Sequence, residues 1–292
     1  MLRIGVLSDC HLESEAALED IYPMLPKPGS VDVLLLAGDA TRGQWGYRLC
    51  VMIHEHLECP VLYTPGNHEF YYTHGLHCTM DEMEADCRKE FESHPHVHYL
   101  QADSIVIGDV SFFGATWWTN FRGYGSDNMA EAMAISDLVA DFRFINVEPM
   151  TEEEAAKRVI NLNRASGVMR GRAYYENAGK SFHHKITAQY MIDLNLECAA
   201  RYRKWHESTP GKKVLMTHFP MLKELQHTNF LPNPYFVSAD DLFIQQFPPD
   251  LLVFGHTHCN FQKMVNGVMC VSNQYGYQRE QTAFDARFVY EI

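Results

Sequence analysis

Five short segments rich in Asp, Asn and His recur along this chain, and each begins where an apolar, β-rich run stops. They are Asp9-Cys10-His11, Gly38-Asp39, Gly66-Asn67-His68-Glu69, Thr217-His218 and Gly255-His256-Thr257-His258. In open α/β sheets, the loops beyond the carboxyl ends of strands converge on one crevice, where ligands bind. Five such loops, each carrying oxygen or imidazole donors, describe a site for two metal ions. The segments span residues 9 to 258 of 292, so one site draws on nearly the whole chain. We therefore expect one domain over 1–292, with a sizeable core.

The apolar runs at 2–8, 31–37, 60–64, 110–116, 214–216 and 251–254 read as strands. The run 31–37 is almost continuously apolar, as expected for a strand covered on both faces. The stretches 13–22, 43–57 and 77–93 read as helices, and strands alternating with helices imply a partly parallel sheet. From Phe261 onward the chain is rich in strands and turns, with Asn266-Gly267 as a hairpin signal. Two β-layers packed together and flanked by helices fit this pattern. Residues 120–212 break the alternation and read as a helical insert. Within it, Thr151 and Glu154 form a capping box ahead of Val159, Ile160 and Leu162. A second helix is predicted over about 182–206, with apolar positions at Tyr190, Leu194, Cys198, Tyr202 and Trp205. The stretch 167–180 between them reads as a loop.

The charge of −13 argues against general nucleic-acid binding, which needs a basic stripe to neutralise phosphates. It is compatible with a small anionic substrate. Two divalent ions bring about +4, and Asp9, Asp39 and a bridging hydroxide offset three of those charges, leaving the site near about +1. The eight cysteines show no CxxC spacing. Residues 1–8 resemble no signal peptide, and no apolar run is long enough to span a membrane. Reduced cysteines in a cytoplasmic protein without membrane partners are the expectation.

The donor types set the chemistry. Asp9 and His11, two apart at a strand end, point the same way and can share an ion. His256 and His258 can be handed to neighbouring ions by the turn after their strand. Asp39 has two oxygens that can bridge, Asn67 offers a neutral amide oxygen, and His218 an imidazole. Mixed nitrogen and oxygen donors without thiolate suit Mn²⁺, Fe or Zn²⁺ better than a structural cysteine site. Alone, a Gly-Asp or an Asn-His is usually a turn or a satisfied polar pair; the ordered set of five is what carries the reading.

That ordered set resembles the calcineurin-like metallophosphoesterases. The resemblance implies a four-layer α/β/β/α sandwich with a dinuclear centre of two divalent ions, Mn²⁺ foremost, with Fe, Zn or Ni as alternatives. It further implies Asp9, His11 and His258 at one metal, Asp39 as the bridge, and Asn67, His218 and His256 at the other. His68 would touch no metal and would protonate or stabilise the leaving oxygen, its tautomer fixed by Glu69 or a backbone group. Two ions about 3.5–4 Å apart share a bridging water, lower its pKa and clamp a phosphoryl oxygen, so that hydroxide attacks phosphorus in line.

Within the family, the Ser/Thr protein phosphatases carry an extra Asp in the second block and an Arg four residues after the ligand. Here Arg42 comes one residue earlier and that Asp is missing, while Phe219-Pro220 follows His218. The pattern looks more like the cyclic-nucleotide and small-phosphodiester branch, with a phosphomonoesterase or a catalytically silent scaffold as the alternatives. Aromatics near the motifs, Tyr71 and Trp118 among them, could stack a base or simply pack the core. Cys10 and Cys259, each beside a ligand, could be oxidation-sensitive thiols or small apolar fillers. The cations and histidines over 170–185 read as a surface loop or as a lid that contributes Arg172 or His184 to a bound phosphate.

Overall fold

The structure, a computed structural model, describes residues 1–71, 78–123, 130, 139–157, 182–226 and 237–292. Its strands are β1 (Arg3–Leu7), β2 (Val33–Ala37), β3 (Val61–Thr64), β4 (Val97–Tyr99), β5 (Asp103–Ile107), β6 (Val110–Ala115), β7 (Asn146–Pro149), β8 (His183–Lys185), β9 (Lys212–Thr217), β10 (Leu251–Val253), β11 (Gln262–Val265), β12 (Val268–Val271) and β13 (Val289–Glu291). They form a five-stranded sheet in the order β13-β1-β2-β3-β4, a six-stranded sheet in the order β11-β12-β10-β9-β6-β5, and a separate β7-β8 ribbon. Within the first sheet β1 to β4 are parallel; in the second, β6, β9, β10 and β12 are parallel.

Strand alternation builds the layers. Along β2, Val33, Leu35 and Ala37 join Ile4, Val6 and Leu62 against Phe112, Val214, Met216 and Val253 of the other sheet. Leu34 and Leu36, one residue out of phase, face the opposite way with Val61 and Tyr63. There they meet Leu49, Ile53 and Leu57 of α1 (Gly43–Leu57) and Phe91 of α2 (Met80–Phe91). This is why the run reads as continuously apolar: both faces are covered. On the far side of the second sheet, Phe113, Leu215 and Leu252 pack on Cys198 and Tyr202 of α3 (Ala188–Ser208) and on Ile244 of α4 (Asp241–Gln246). The order is helices, sheet, sheet, helices, the expected α/β/β/α sandwich.

Several local expectations need adjusting. The segment expected as a helix at 13–22 is a 3₁₀ helix, Glu15–Met24; Pro23 within it lacks the N–H that an α-helical turn would use. The second helix of the insert begins at Ala188, not near 182, because His183–Lys185 pairs with β7 instead. Thr187 caps it, accepting from the N–H of Tyr190 at 3.1 Å. Strands β4, β5, β7 and β8 went unforeseen. The Thr151–Glu154 box forms, with Thr151 N–H donating to Glu154 at 3.0 Å and Glu154 N–H to Thr151 Oγ1 at 3.4 Å. Val159, Ile160, Leu162 and the 167–180 loop lie outside the described residues. Asn266 and Gly267, at φ 50° and 85°, turn β11 into β12, the paired positive φ of a type I′ hairpin. The eight cysteines form no disulfide. Among the described residues, no helix is long and apolar enough to cross a membrane.

Candidate metal centre

The carboxyl ends of β1, β2, β3, β9 and β10 open onto one edge of the sandwich, and the five blocks follow them. Past the strand ends the chain turns sharply. Asp9, His11, Asp39, His256 and His258 have positive φ, from 49° to 73°. Such conformations are uncommon outside glycine but are enriched for Asp and His; each costs of order 1–3 kcal/mol and persists only where the surroundings over-determine it. Here they are over-determined. Glu69, buried after β3, accepts backbone N–H bonds from Asp39 (3.0 Å), Ala40 (2.9 Å), Thr41 (3.3 Å) and Gly66 (2.6 Å). One carboxylate thus laces the loop after β2 to the loop after β3. Asp9, fully buried, accepts from the His256 N–H at 3.0 Å, tying the β1 end to the β10 end.

Three donor groups result, in each of which the ligand atoms lie within 4.8 Å of one another: Asp9, His11 and His258; Asp39, His218 and His256; and His11, Asp39 and His68. The first two are the two halves of the expected centre, and Asn67 joins the second, its Oδ1 3.0 Å from His218 Nε2.

The ring tautomers test whether these residues suit cations. His218 Nδ1 donates to the Ala37 carbonyl at 3.0 Å. Its Nε2 then faces two acceptors, Asn67 Oδ1 and Asp39 Oδ1, the latter at 3.3 Å. A neutral ring would set lone pair against lone pair, so the site calls for a proton or a metal ion. His258 repeats the pattern. Nδ1 meets Glu280 at 2.5 Å, leaving Nε2 3.0 Å from His11 Nε2 and 3.4 Å from Asp9 Oδ1. Burial opposes charge on both rings, but Asp39 and Asp9 hold His218 up to about 10, and Asp9 with Glu280 holds His258 up to about 9. Burial and the His218 charge push His256 well down, so it remains neutral, the form that ligates. The donor set fits two divalent ions.

Two glycines make room for this. A Cβ on Gly38 would lie 2.5 Å from His218 Nδ1, and one on Gly66 would collide with Asp39 Oδ1 and lie 2.8 Å from His218 Nε2. Gly66→Ala is expected to cost about 1–3 kcal/mol of stability through overpacking and to displace Asp39. Metal titration should then show weakened uptake, and unchanged affinity with an unchanged melting temperature would contradict the arrangement.

His68 lies beside Asp39, its backbone N–H donating to Asp39 Oδ1 at 2.9 Å and its Nε2 3.8 Å from Asp39 Oδ2. Its Nδ1 is held by Glu13 Oε1 at 2.6 Å, not by Glu69, which is committed to backbone N–H groups. Glu13 also accepts from Arg42 at 2.9 Å; His11, His68 and Arg42 hold its carboxyl well below the usual range. Burial lowers the His68 pKa, but Asp39 and Glu13 outweigh it, to about 9. Glu13 continues the alternation Asp9, His11, Glu13 beyond β1, and that alternation is the signal of it along the chain.

The substrate-contact candidates are dispersed. Tyr71 is buried, packs on His68 with ring centroids 4.4 Å apart, and donates its hydroxyl to Asp141 at 2.5 Å. Trp118 is buried between Phe70 and Phe219, a core position. His184 is on β8, not at a helix start; its Nε2 lies 3.5 Å from Glu154. Arg172 and most of the 170–185 segment lie outside the described residues. Of the flanking aromatics, Tyr277 reaches the mouth. It is 48% exposed and stacks on His11 at 4.2 Å. Cys10 is buried and its thiol is pushed well up by burial, which suits a filler rather than a reactive thiol.

A two-sheet sandwich with clustered Asp, His and Asn donors at its strand ends offers a metal-binding centre of the kind that serves hydrolysis, and the family makes it that of a metal-dependent phosphoester hydrolase. The chain belongs to the calcineurin-like phosphoesterase family, whose family model matches residues 2–260; that family implies a dinuclear divalent metal centre. It is 21% identical over 305 residues to uncharacterized protein L509 of Acanthamoeba polyphaga mimivirus, covering 98% of this chain and 95% of that protein. In fold it is similar to the phosphopantetheinyl hydrolase PptH of Mycobacterium tuberculosis, with a TM-score of 0.68 and 17% identity over 94% of this chain and 90% of that one.

Proposed function

We propose that the protein hydrolyses a small, anionic phosphodiester, using a dinuclear centre held by Asp9, His11, Asp39, Asn67, His218, His256 and His258. When bound, the two ions activate water and stabilise charge on the phosphoryl oxygens. The residues of the chain supply the rest. Asp39 shares one donor group with His218 and His256 and another with His11, which suits it to bridge. Glu13 fixes His68 with Nδ1 occupied, so that Nε2 is turned towards the centre, where it can donate a proton to a departing oxygen. The Tyr277 ring at the mouth offers an aromatic face to the group beyond the scissile bond.

The observation that carries the diester reading is the pairing of Arg42 with Glu13. A phosphomonoester arrives as a dianion and benefits from an open guanidinium, the strong bidentate phosphate partner. Here the guanidinium next to the bridging block is turned onto a carboxylate. A monoanionic diester needs less. The test is a Mn²⁺-loaded substrate panel: cyclic nucleotides, bis-aryl phosphodiesters, nucleotides, phosphopeptides, DNA, and a phosphopantetheinyl ester, the group for which the mycobacterial hydrolase is named. Diesters are expected to show the higher kcat/KM. Preferential turnover of nucleotides or phosphopeptides would overturn the diester assignment in favour of a monoesterase, and inactivity of a fully metallated chain across the panel would favour a scaffold.

A further inference from the structure

The insert reaches the metal centre through one residue that belongs to none of the five blocks. Asp141 opens the single helical turn Asp141–Phe144 and is fully buried. Its Oδ1 accepts from Asn67 Nδ2 at 2.9 Å and from the Tyr71 hydroxyl at 2.5 Å. Asn67 Nδ2 also donates to the Tyr71 oxygen at 3.2 Å. The backbone reinforces the contact, since Tyr71 pairs with Ile145 in an isolated antiparallel bridge, and the Tyr71 ring lies against Phe144 at 5.5 Å.

The two ends of a carboxamide are almost the same size, so shape alone does not orient Asn67. Hydrogen bonding does. Asp141 Oδ1 already accepts the Tyr71 hydroxyl, so what it offers Asn67 is an acceptor, and it selects the NH₂ end. The oxygen is thereby turned towards His218 Nε2, 3.0 Å away. A flipped amide would present N–H groups to the place where a cation needs a lone pair.

We propose that Asp141 is a positioning residue that sets the orientation of Asn67 and so couples docking of residues 141–145 to occupancy of the second metal position. The inference rests on the dinuclear reading above. Coupling of this kind is reciprocal: if the docked segment strengthens binding of the ion, the ion holds the segment down by the same factor. Tyr71, bonded to Asp141 and packed on His68, extends the linkage to the residue beside the leaving group.

The test compares the wild-type chain, Asp141→Leu, Asp141→Asn and Asp39→Ala. Mn²⁺ binding is measured by titration calorimetry, and amide hydrogen exchange over 140–147 is followed with and without Mn²⁺. The wild-type chain is expected to bind two ions, with slower exchange over 140–147 when loaded. Asp141→Leu is expected to weaken one of the two ions by roughly 10–100-fold, the usual cost of removing the partner behind a ligand, and to abolish the Mn²⁺-dependent slowing. Asp141→Asn, whose oxygen can still accept, should fall between. Wild-type affinity for both ions in Asp141→Leu would overturn the proposal. So would wild-type exchange over 140–147 that does not respond to Mn²⁺, a result that stands even if the leucine variant fails to fold. A wild-type chain binding fewer than two ions would overturn the dinuclear reading and the coupling with it, whereas loss of binding in Asp39→Ala alone leaves the first standing and rejects the second.

Discussion

Asp39→Ala is expected to abolish phosphoester hydrolysis and to reduce bound metal from two ions to at most one. Asp39 belongs to two of the three donor groups, one with His218 and His256 and one with His11 and His68, so as the proposed bridge its removal takes an oxygen from both metal positions. It also strips His218 of its principal counter-charge and the His68 N–H of its acceptor. The loss in rate should therefore exceed the roughly 10–100-fold that follows removal of a hydrogen-bond partner behind a ligand. Metal content by elemental analysis, read beside turnover, decides the matter. A variant that keeps two ions and its activity would mean that Asp39 is not the bridge.

His68→Ala is expected to retain its metal and to lose roughly 10²–10⁴-fold in rate, the usual contribution of a positioned general acid. The loss should shrink for nitrophenyl esters, whose leaving groups depart without a proton. Glu13→Gln should act in the same direction, less strongly, because it loosens His68 without removing it. Introduced on top of His68→Ala it should add little, since residues acting through one another are not additive. An equal loss for good and poor leaving groups would make His68 a positioning residue, and full additivity of the two changes would separate Glu13 from it.

Much of this was readable along the chain. The run at 31–37 is apolar without a break because β2 is covered on both sides, and the neighbouring strands followed from the same pattern. Boundaries were weaker where a competing interaction intervened. Phe182–Ile186 carries no strong breaker, yet His183–Lys185 pairs with β7, so α3 starts only at its Thr187 cap. Strands such as Val97–Tyr99 are three residues long and too short to show a period.

The site divides in the same way. Seven candidate ligands could be named because donor chemistry and position after a strand are local properties, fixed by side-chain type and by a few residues of context. What holds those groups in place is not local. Glu13 meets His68 across 55 positions and Asp141 meets Asn67 across 74. Glu69, expected with a backbone group as the alternative to fix His68, is drawn away by four backbone N–H groups that only the folded loops bring together. His184, expected at the start of the second helix of the insert, is instead placed by strand pairing on β8 beside Glu154. The sequence by itself determined the sandwich and the donors at its edge. Only the tertiary structure decided which carboxylate orients which donor, because a buried carboxylate is assigned by the N–H and ring groups that converge on it in space, and that convergence leaves no period in the chain.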